Sequence, residues 1–263
     1  MSKIISLNGT AKGEAKLPAV FNSAYRPDLI RRTVLASQSA RRQPYGRDPL
    51  AGMRTSASYY GVKGKRGTMK NTETARGKRS HGGNPGQEMR GRFSPHTKGG
   101  RRAHPPRVEK VWLLKINRKE VGIALASAIA ATADANLVRA HGHRIDGIAV
   151  PIVAESAVES LKKAKDVEAF LRALKLDAEM ERADQKKVRA GRGKMRGRKY
   201  RRKTSLIFII DKDNGIGKAA KNLAGVDVAN LDSLTTEMLA PGGTAGRLAI
   251  WSEGAIKKLS ELK

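Results

Sequence analysis

Residues 44–106 limit what this 263-residue chain can fold into more than any other stretch. They hold twelve glycines, and Pro44, Pro49, Pro85, Pro95, Pro105 and Pro106, and they show neither a helical nor a strand period. A stretch of that length without regular structure is uncommon inside a compact domain, and it is usually functional or disordered. Its side chains are too polar and too charged to enter a core. It is therefore expected to project from the fold that flanks it. About 30 residues out and back reach at most roughly 100 Å, at ~3.3 Å per residue.

The flanks read as an α/β fold. Residues 4–7 predict a first strand ended by Asn8-Gly9, and residues 14–21 a second extended piece with Pro18 at an edge or bend. Pro27 and Asp28 suit the first turn of a helix, and Leu29, Ile30, Val34 and Leu35 follow at helical spacing. Asn117 is placed to cap a helix in which Val121, Leu125, Ala128, Ile129 and Thr132 share a face. Residues 148–153 predict a strand, and residues 155–165 and 166–176 two helical stretches. The run Leu206-Ile207-Phe208-Ile209-Ile210 has the length and continuity of a buried strand, and residues 248–251 and 253–262 predict a last strand and helix. Strands alternating with helices argue for a mostly parallel sheet covered on both faces.

Charge separates the same parts. The net charge is +29, yet residues 111–185 and 204–263 each balance, with eleven and seven charges of either sign. Residues 41–110 carry eighteen basic and four acidic side chains, and residues 186–203 eleven basic and none acidic. A disordered polycation would not leave long neutral stretches rich in aliphatic residues. Compaction of the basic segments calls for a polyanion. The absence of Cys excludes disulfides, thiolate chemistry and Cys-ligated zinc. The N-terminus lacks a signal-peptide core, and the apolar run 121–133 is too short to cross a bilayer. A cytoplasmic chain without a membrane partner is expected.

Within the long stretch, cations and glycines interleave: Gly61-Val62-Lys63-Gly64-Lys65-Arg66-Gly67, Arg76-Gly77-Lys78-Arg79, Arg90-Gly91-Arg92 and Gly99-Gly100-Arg101-Arg102. Glycine lets a backbone approach phosphate closely, and Arg grips its oxygens bidentately. Arg41, Arg42, Arg47, Arg54, Lys70, Lys98 and Arg107 extend the pattern, and Tyr45, Tyr59, Tyr60 and Phe93 supply rings to stack on unpaired bases. The alternative for this stretch is a solvated loop without a fixed partner. The second run holds Lys186, Lys187, Arg189, Arg192, Lys194, Arg196, Arg198, Lys199, Tyr200, Arg201, Arg202 and Lys203, with no acid between Asp184 and Asp211. Nucleic-acid phosphates suit it best; a localisation signal or linker is the alternative.

Other sites are weakly indicated. His81, His96, His104, His141 and His143 lack metal-site spacing and read as surface or RNA-contact residues. Residues 211–218 superficially suggest a phosphate loop, but they lack its first Gly, and Ala219 stands where a magnesium-binding Ser or Thr is needed; a turn leading into a helix fits better. The acids of the balanced segments read as helix surface. No metal, cofactor or catalytic residue is expected. Two other classes share this charge pattern: a nucleic-acid-directed enzyme on a doubly wound sheet, and a free DNA-compacting protein. The first lacks a Gly-rich cofactor turn. Charge alone does not separate the second from an RNA binder.

Six pieces in order carry a resemblance: Leu17-Pro18-Ala19-Val20-Phe21 with Arg26-Pro27-Asp28-Leu29-Ile30-Arg31; Gln43-Pro44-Tyr45-Gly46-Arg47-Asp48 with Ala51-Gly52; Arg102-Ala103-His104-Pro105-Pro106; Ser127-Ala128-Ile129-Ala130-Ala131-Thr132-Ala133; Ala190-Gly191 with Arg196-Gly197-Arg198-Lys199-Tyr200-Arg201-Arg202; and Leu239-Ala240-Pro241-Gly242-Gly243 with Gly246-Arg247-Leu248. Together they resemble, nearly end to end, the universal large-subunit ribosomal protein four family in its archaeal and eukaryotic-type branch. The resemblance implies a three-layer α/β/α domain, a structural role in the large ribosomal subunit, and rRNA and neighbouring ribosomal proteins as partners. It also implies that the loop threads between rRNA helices and that its tip helps line the polypeptide exit tunnel beside the nascent chain. The tip would include Gly61, Lys63, Gly64, Lys65 and Arg66.

Overall fold

The computed structural model describes residues 2–63, 68–70, 73–82, 84–145 and 147–261. The chain divides into two compact units: Met1–Arg41 with Leu113–Lys263, and Arg42–Trp112.

The first unit carries a six-stranded sheet. Its strands are β1 (Ser2–Ile5), β2 (Ala11–Ala15), β3 (Ile152–Ala154), β6 (Ile207–Ile210), β7 (Asp227–Asn230) and β8 (Ala249–Ser252), in the order β2-β1-β3-β8-β6-β7. Two further short strands, β4 (Lys187–Val188) and β5 (Tyr200–Arg201), form a separate pair. The pair β1–β2 is antiparallel, and every other pairing of the large sheet is parallel. Asn8-Gly9 thus closes a hairpin rather than merely ending a strand, with Ser6 N donating to Thr10 O at 2.9 Å. The second extended piece lies earlier than its apolar residues suggest, and Ala19–Asn22 forms a 3-10 turn that buries Phe21.

The helices are α1 (Pro27–Ala40), α2 (Arg118–Ala131), α3 (Ala135–His141), α4 (Ala164–Ala173), α5 (Asp177–Asp184), α6 (Ile216–Ala220), α7 (Thr236–Leu239) and α8 (Glu253–Glu261). Asn117 occupies the N-cap of α2, without a side-chain cap bond. Successive residues of β6 enter different hydrophobic clusters. Ile207 and Ile209 pack with Ile30 and Val34 of α1, Ala128 and Ile129 of α2, and Ile256 of α8. Phe208 and Ile210 pack with Val138 of α3, Val167 and Phe170 of α4, and Ile216 of α6. A strand whose both faces are buried has no polar alternation, which accounts for the continuous apolar run.

The helix expected over residues 155–165 is only a 3-10 turn, Ser156–Ser160. Glu159 is turned inward there, where it accepts from Asp211 N at 3.1 Å and from Ser252 Oγ at 2.6 Å. Those bonds tie the turn to the ends of β6 and β8 in place of a continuing helix.

Candidate nucleic-acid interface

Among the described residues of Arg42–Trp112 there is no helix and no continuous ladder. Order comes from single bridges. Ser58 and Arg79 exchange backbone bonds of 3.2 and 3.1 Å, Ser80 N donates to Arg90 O at 3.0 Å, and Arg92 N donates to Lys78 O at 2.9 Å. The ends of the unit meet where Arg47 N donates to Pro106 O at 3.0 Å. There the Trp112 ring stacks on Tyr45 at 5.3 Å, and Lys110 Nζ and Arg42 Cζ lie 4.4 and 4.9 Å from its centroid.

This framework leaves most of its cations outward. Arg42, Arg47, Arg54, Lys63, Lys70, Arg76, Lys78, Arg90, Lys98, Arg102 and Arg107 are exposed, as are Tyr45, Tyr59, Tyr60 and Gly61. Arg79, Arg92, Phe93 and Arg101 are half-buried. Some of these groups also serve the unit itself. The Arg79 guanidinium donates to Met89 O at 2.9 Å, Arg54 pairs with Asp48, and Lys78 Nζ sits 4.4 Å over the Phe93 ring. His81 Nε2 is 3.0 Å from Ser58 O, and its ring packs on Tyr60. Gly64, Lys65 and Arg66 lie outside the described residues.

The second run belongs to the first unit and is a ribbon. Lys187 faces Arg201 and Val188 faces Tyr200 across β4 and β5, and Arg189 N donates to Lys199 O at 2.8 Å. A 3-10 turn, Arg192–Lys194, with Arg198 N donating to Gly193 O at 3.0 Å, closes the tip. Lys186, Lys187, Arg192, Lys194, Arg196, Arg198, Lys199, Tyr200, Arg201, Arg202 and Lys203 are exposed, and Arg189 is half-buried with its Nε on Arg198 O at 3.1 Å. Like charges directly opposite one another destabilise a strand pair, and a lone two-stranded hairpin is marginal in water. Lys187 against Arg201 has both defects, and a polyanion relieves the first. Arg41, at the end of α1, is exposed and pairs with Glu237.

What holds the ribbon is a buried ionic cluster that the sequence reading missed. Arg182 of α5 donates through Nε to Glu179 Oε2 at 2.8 Å, and through its terminal nitrogen to Glu179 Oε1 at 2.6 Å and Thr204 O at 2.8 Å. Glu179 also accepts from Arg144 N at 3.0 Å and Ser205 Oγ at 3.0 Å, and its Oε1 lies 2.7 Å from His143 Nδ1. One guanidinium thus joins α5, which leads into the ribbon, to the segment that leaves it. Nearby, the buried Arg247 donates to Ser205 O at 2.7 Å, Met238 O at 2.9 Å and Asp227 at 2.5 Å.

Burial of these groups, and of Glu159, corrects two expectations. His143 is a core residue rather than a surface or RNA-contact residue, and Glu179 and Glu159 are buried rather than spread over helix surfaces. The i, i+3 spacing of Glu179 and Arg182 signals an ion pair on one helix face, and nothing local signals that it is buried. Burial by itself would push the Glu179 carboxyl up, but hydrogen bonds from Arg182, His143 and Arg144 N outweigh it and hold the group at about 2.

Residues 211–218 form the turn expected at a helix start. Asp213 Oδ1 accepts from Gly215 N and Gly217 N, both at 3.0 Å, so the side chain occupies the donors a phosphate would need. Among the described residues no cluster of His, Asp and Glu is arranged to hold a metal ion.

Residues 15–262 match the Ribosomal protein L4/L1 family. Curated relatives named "Large ribosomal subunit protein uL4" include one from Methanococcus vannielii, 47% identical over 261 residues and covering 98% of each chain. One from Archaeoglobus fulgidus is 44% identical, covering 99% of this chain and 98% of its own. One from Methanococcoides burtonii is 45% identical, covering 98% and 97%. With the family match and the relatives both spanning nearly the whole length, the chain belongs to the ribosomal protein L4/L1 family.

Proposed function

We propose that the chain is a structural constituent of the large ribosomal subunit, in the cytoplasm, that binds large-subunit rRNA and has no catalytic role. Its family and the names of its relatives support the ribosomal part. The observation that carries the RNA part is the ribbon, where Lys187 stands opposite Arg201 in a run of eleven cations without an acid. Such a surface is stable against closely spaced phosphates and strained without them.

The finer reading follows the same physics. The domain is a three-layer α/β/α fold, supported by the two clusters that β6 feeds in alternation. Residues 44–106 are an extended loop that projects between rRNA helices and neutralises phosphates where they approach. Its tip, around Gly61, Lys63, Gly64, Lys65 and Arg66, helps line the polypeptide exit tunnel next to the nascent polypeptide. Residues 186–203 are a second rRNA contact, and neighbouring large-subunit proteins cover part of the remaining surface.

Co-sedimentation tests the reading. The chain is expected to travel with large subunits through high salt, with crosslinks from both basic segments to rRNA. A chain that stays at the top of the gradient overturns it.

A further inference from the structure

The ribbon has two unlike faces. Side chains paired across an antiparallel ladder point to the same side, and the next pair along points to the other. Lys187 and Arg201 therefore share one face, continued by Arg189 and Lys199, which are joined through Arg189 N and Lys199 O. Val188 and Tyr200 share the opposite face, and both are exposed, at 60% and 46%. One side of the strip thus carries Lys187, Arg189 and Arg201, and the other presents an aromatic ring beside an aliphatic residue, with the ammonium of the long Lys199 side chain reaching the ring.

The ring is not set among groups suited to a protein core. Lys186 Nζ lies 5.0 Å and Lys199 Nζ 5.4 Å from the Tyr200 centroid. An apolar protein partner covering this ring would have to bury those ammonium groups without counter-ions. A nucleotide meets the same arrangement with complementary chemistry, since its base stacks on the ring and its phosphate takes the neighbouring ammonium. The strip is also mounted: Arg182 bonds Thr204 O, and Ser205 bonds Glu179, so its exit limb is tied to α5.

We propose that Tyr200 is a stacking platform for one unpaired RNA base whose phosphate is taken by Lys186 and Lys199 beside the ring, while Lys187, Arg189 and Arg201 on the opposite face meet the phosphates of the adjoining backbone. The preferred partner is then a folded RNA with a nucleotide displaced from its helix, rather than an unbroken duplex. This rests on the rRNA-binding reading above and gives one segment its specificity.

The test uses the full chain and two synthetic RNA hairpins, one with a single unpaired nucleotide and one fully paired. The wild-type protein is expected to bind the interrupted hairpin about 5- to 150-fold more tightly, the range that one base–aromatic stack supplies. Tyr200→Leu keeps an apolar partner for Val188 but has no π-face, so it should abolish that preference with the salt dependence unchanged. Tyr200→Phe should retain it. The double change Lys187→Gln with Arg201→Gln should weaken binding to both hairpins and flatten the salt dependence. Exchange protection of Arg189 N–H in the free protein reports whether the ribbon is still formed in each variant. A Tyr200→Leu protein that keeps the preference with the ribbon intact overturns the stacking role, as does a wild type that binds both hairpins equally. Equal but salt-steep binding leaves the rRNA reading standing, whereas no binding to either hairpin defeats both.

Discussion

Glu179 keeps its charge inside the protein because every approach to its carboxylate brings a donor: Arg182 twice, Arg144 N, Ser205 Oγ and the His143 ring. Its pKa is lowered in the fold from an ordinary value of 4.5 to about 2, so the ionised form is what the folded state favours. A depressed carboxylate contributes stability that is complete above its unfolded pKa and is lost as pH falls through the folded one. The difference amounts to on the order of 3 kcal/mol. Glu179→Gln should therefore be destabilised by about that much at pH 7, with Arg182 left buried beside a neutral partner. The gap to the wild type should close as pH falls from about 5 toward about 2, because the native carboxyl is then protonated as well. Urea midpoints of both proteins over that pH range check it, and a gap that does not narrow would show that ionisation of Glu179 contributes nothing to folding. His143 and Glu179 stand 36 residues apart, and the local pattern around each is that of any surface polar residue. Only the fold brings them together, so neither was legible as a core group.

The elements divide by how they bury themselves. The run over β6 was readable because both of its faces are apolar, and α1 because Ile30 and Val34 repeat at helical spacing. Helix α5 was not, since two of its buried side chains are Glu179 and Arg182, and an ion pair erases the apolar period a reader counts. The ribbon escaped for a similar reason: only Val188 and Tyr200 of its four strand residues favour β structure. The segment leaving the ribbon also depends on backbone that no period encodes. Gly225 has φ +70°, and a Cβ there would sit 2.6 Å from Lys203 O and 2.9 Å from Ser205 N. Gly225→Ala should cost about 2 kcal/mol or more through left-handed strain and that clash. Gly122, inside α2 with open space where its Cβ would be, predicts the opposite sign: Gly122→Ala should stabilise by about 0.5–1 kcal/mol. Thermal unfolding of the two variants should move the transition in opposite directions.

For the molecule as a whole, charge and packing are carried by different parts of the chain. Hydrophobic burial sits in Met1–Arg41 with Leu113–Lys263, where both large clusters lie. Residues 44–106 contribute fourteen Lys and Arg against three acids, and among the described residues of that stretch the buried apolar side chains are Ala57 and Met69. Stability therefore has little to lose with that stretch, while affinity for a polyanion has much to lose. Each phosphate neutralised contributes roughly 0.7–0.9 to the slope of log affinity against log salt. A chain in which residues 44–106 are replaced by a short flexible link should unfold cooperatively at close to the wild-type temperature, because the clusters around β6 are untouched. Its binding to large-subunit rRNA should weaken, and its salt slope should fall by several units, leaving the share owed to residues 186–203. On the proposed reading, in which the two segments meet phosphates independently, neutralising Lys187 and Arg201 in that shortened chain should lower the slope again by about 1.4–1.8. Loss of the cooperative transition on shortening would mean that the core depends on the basic stretch, and a slope that does not change would mean that its cations do not meet phosphate.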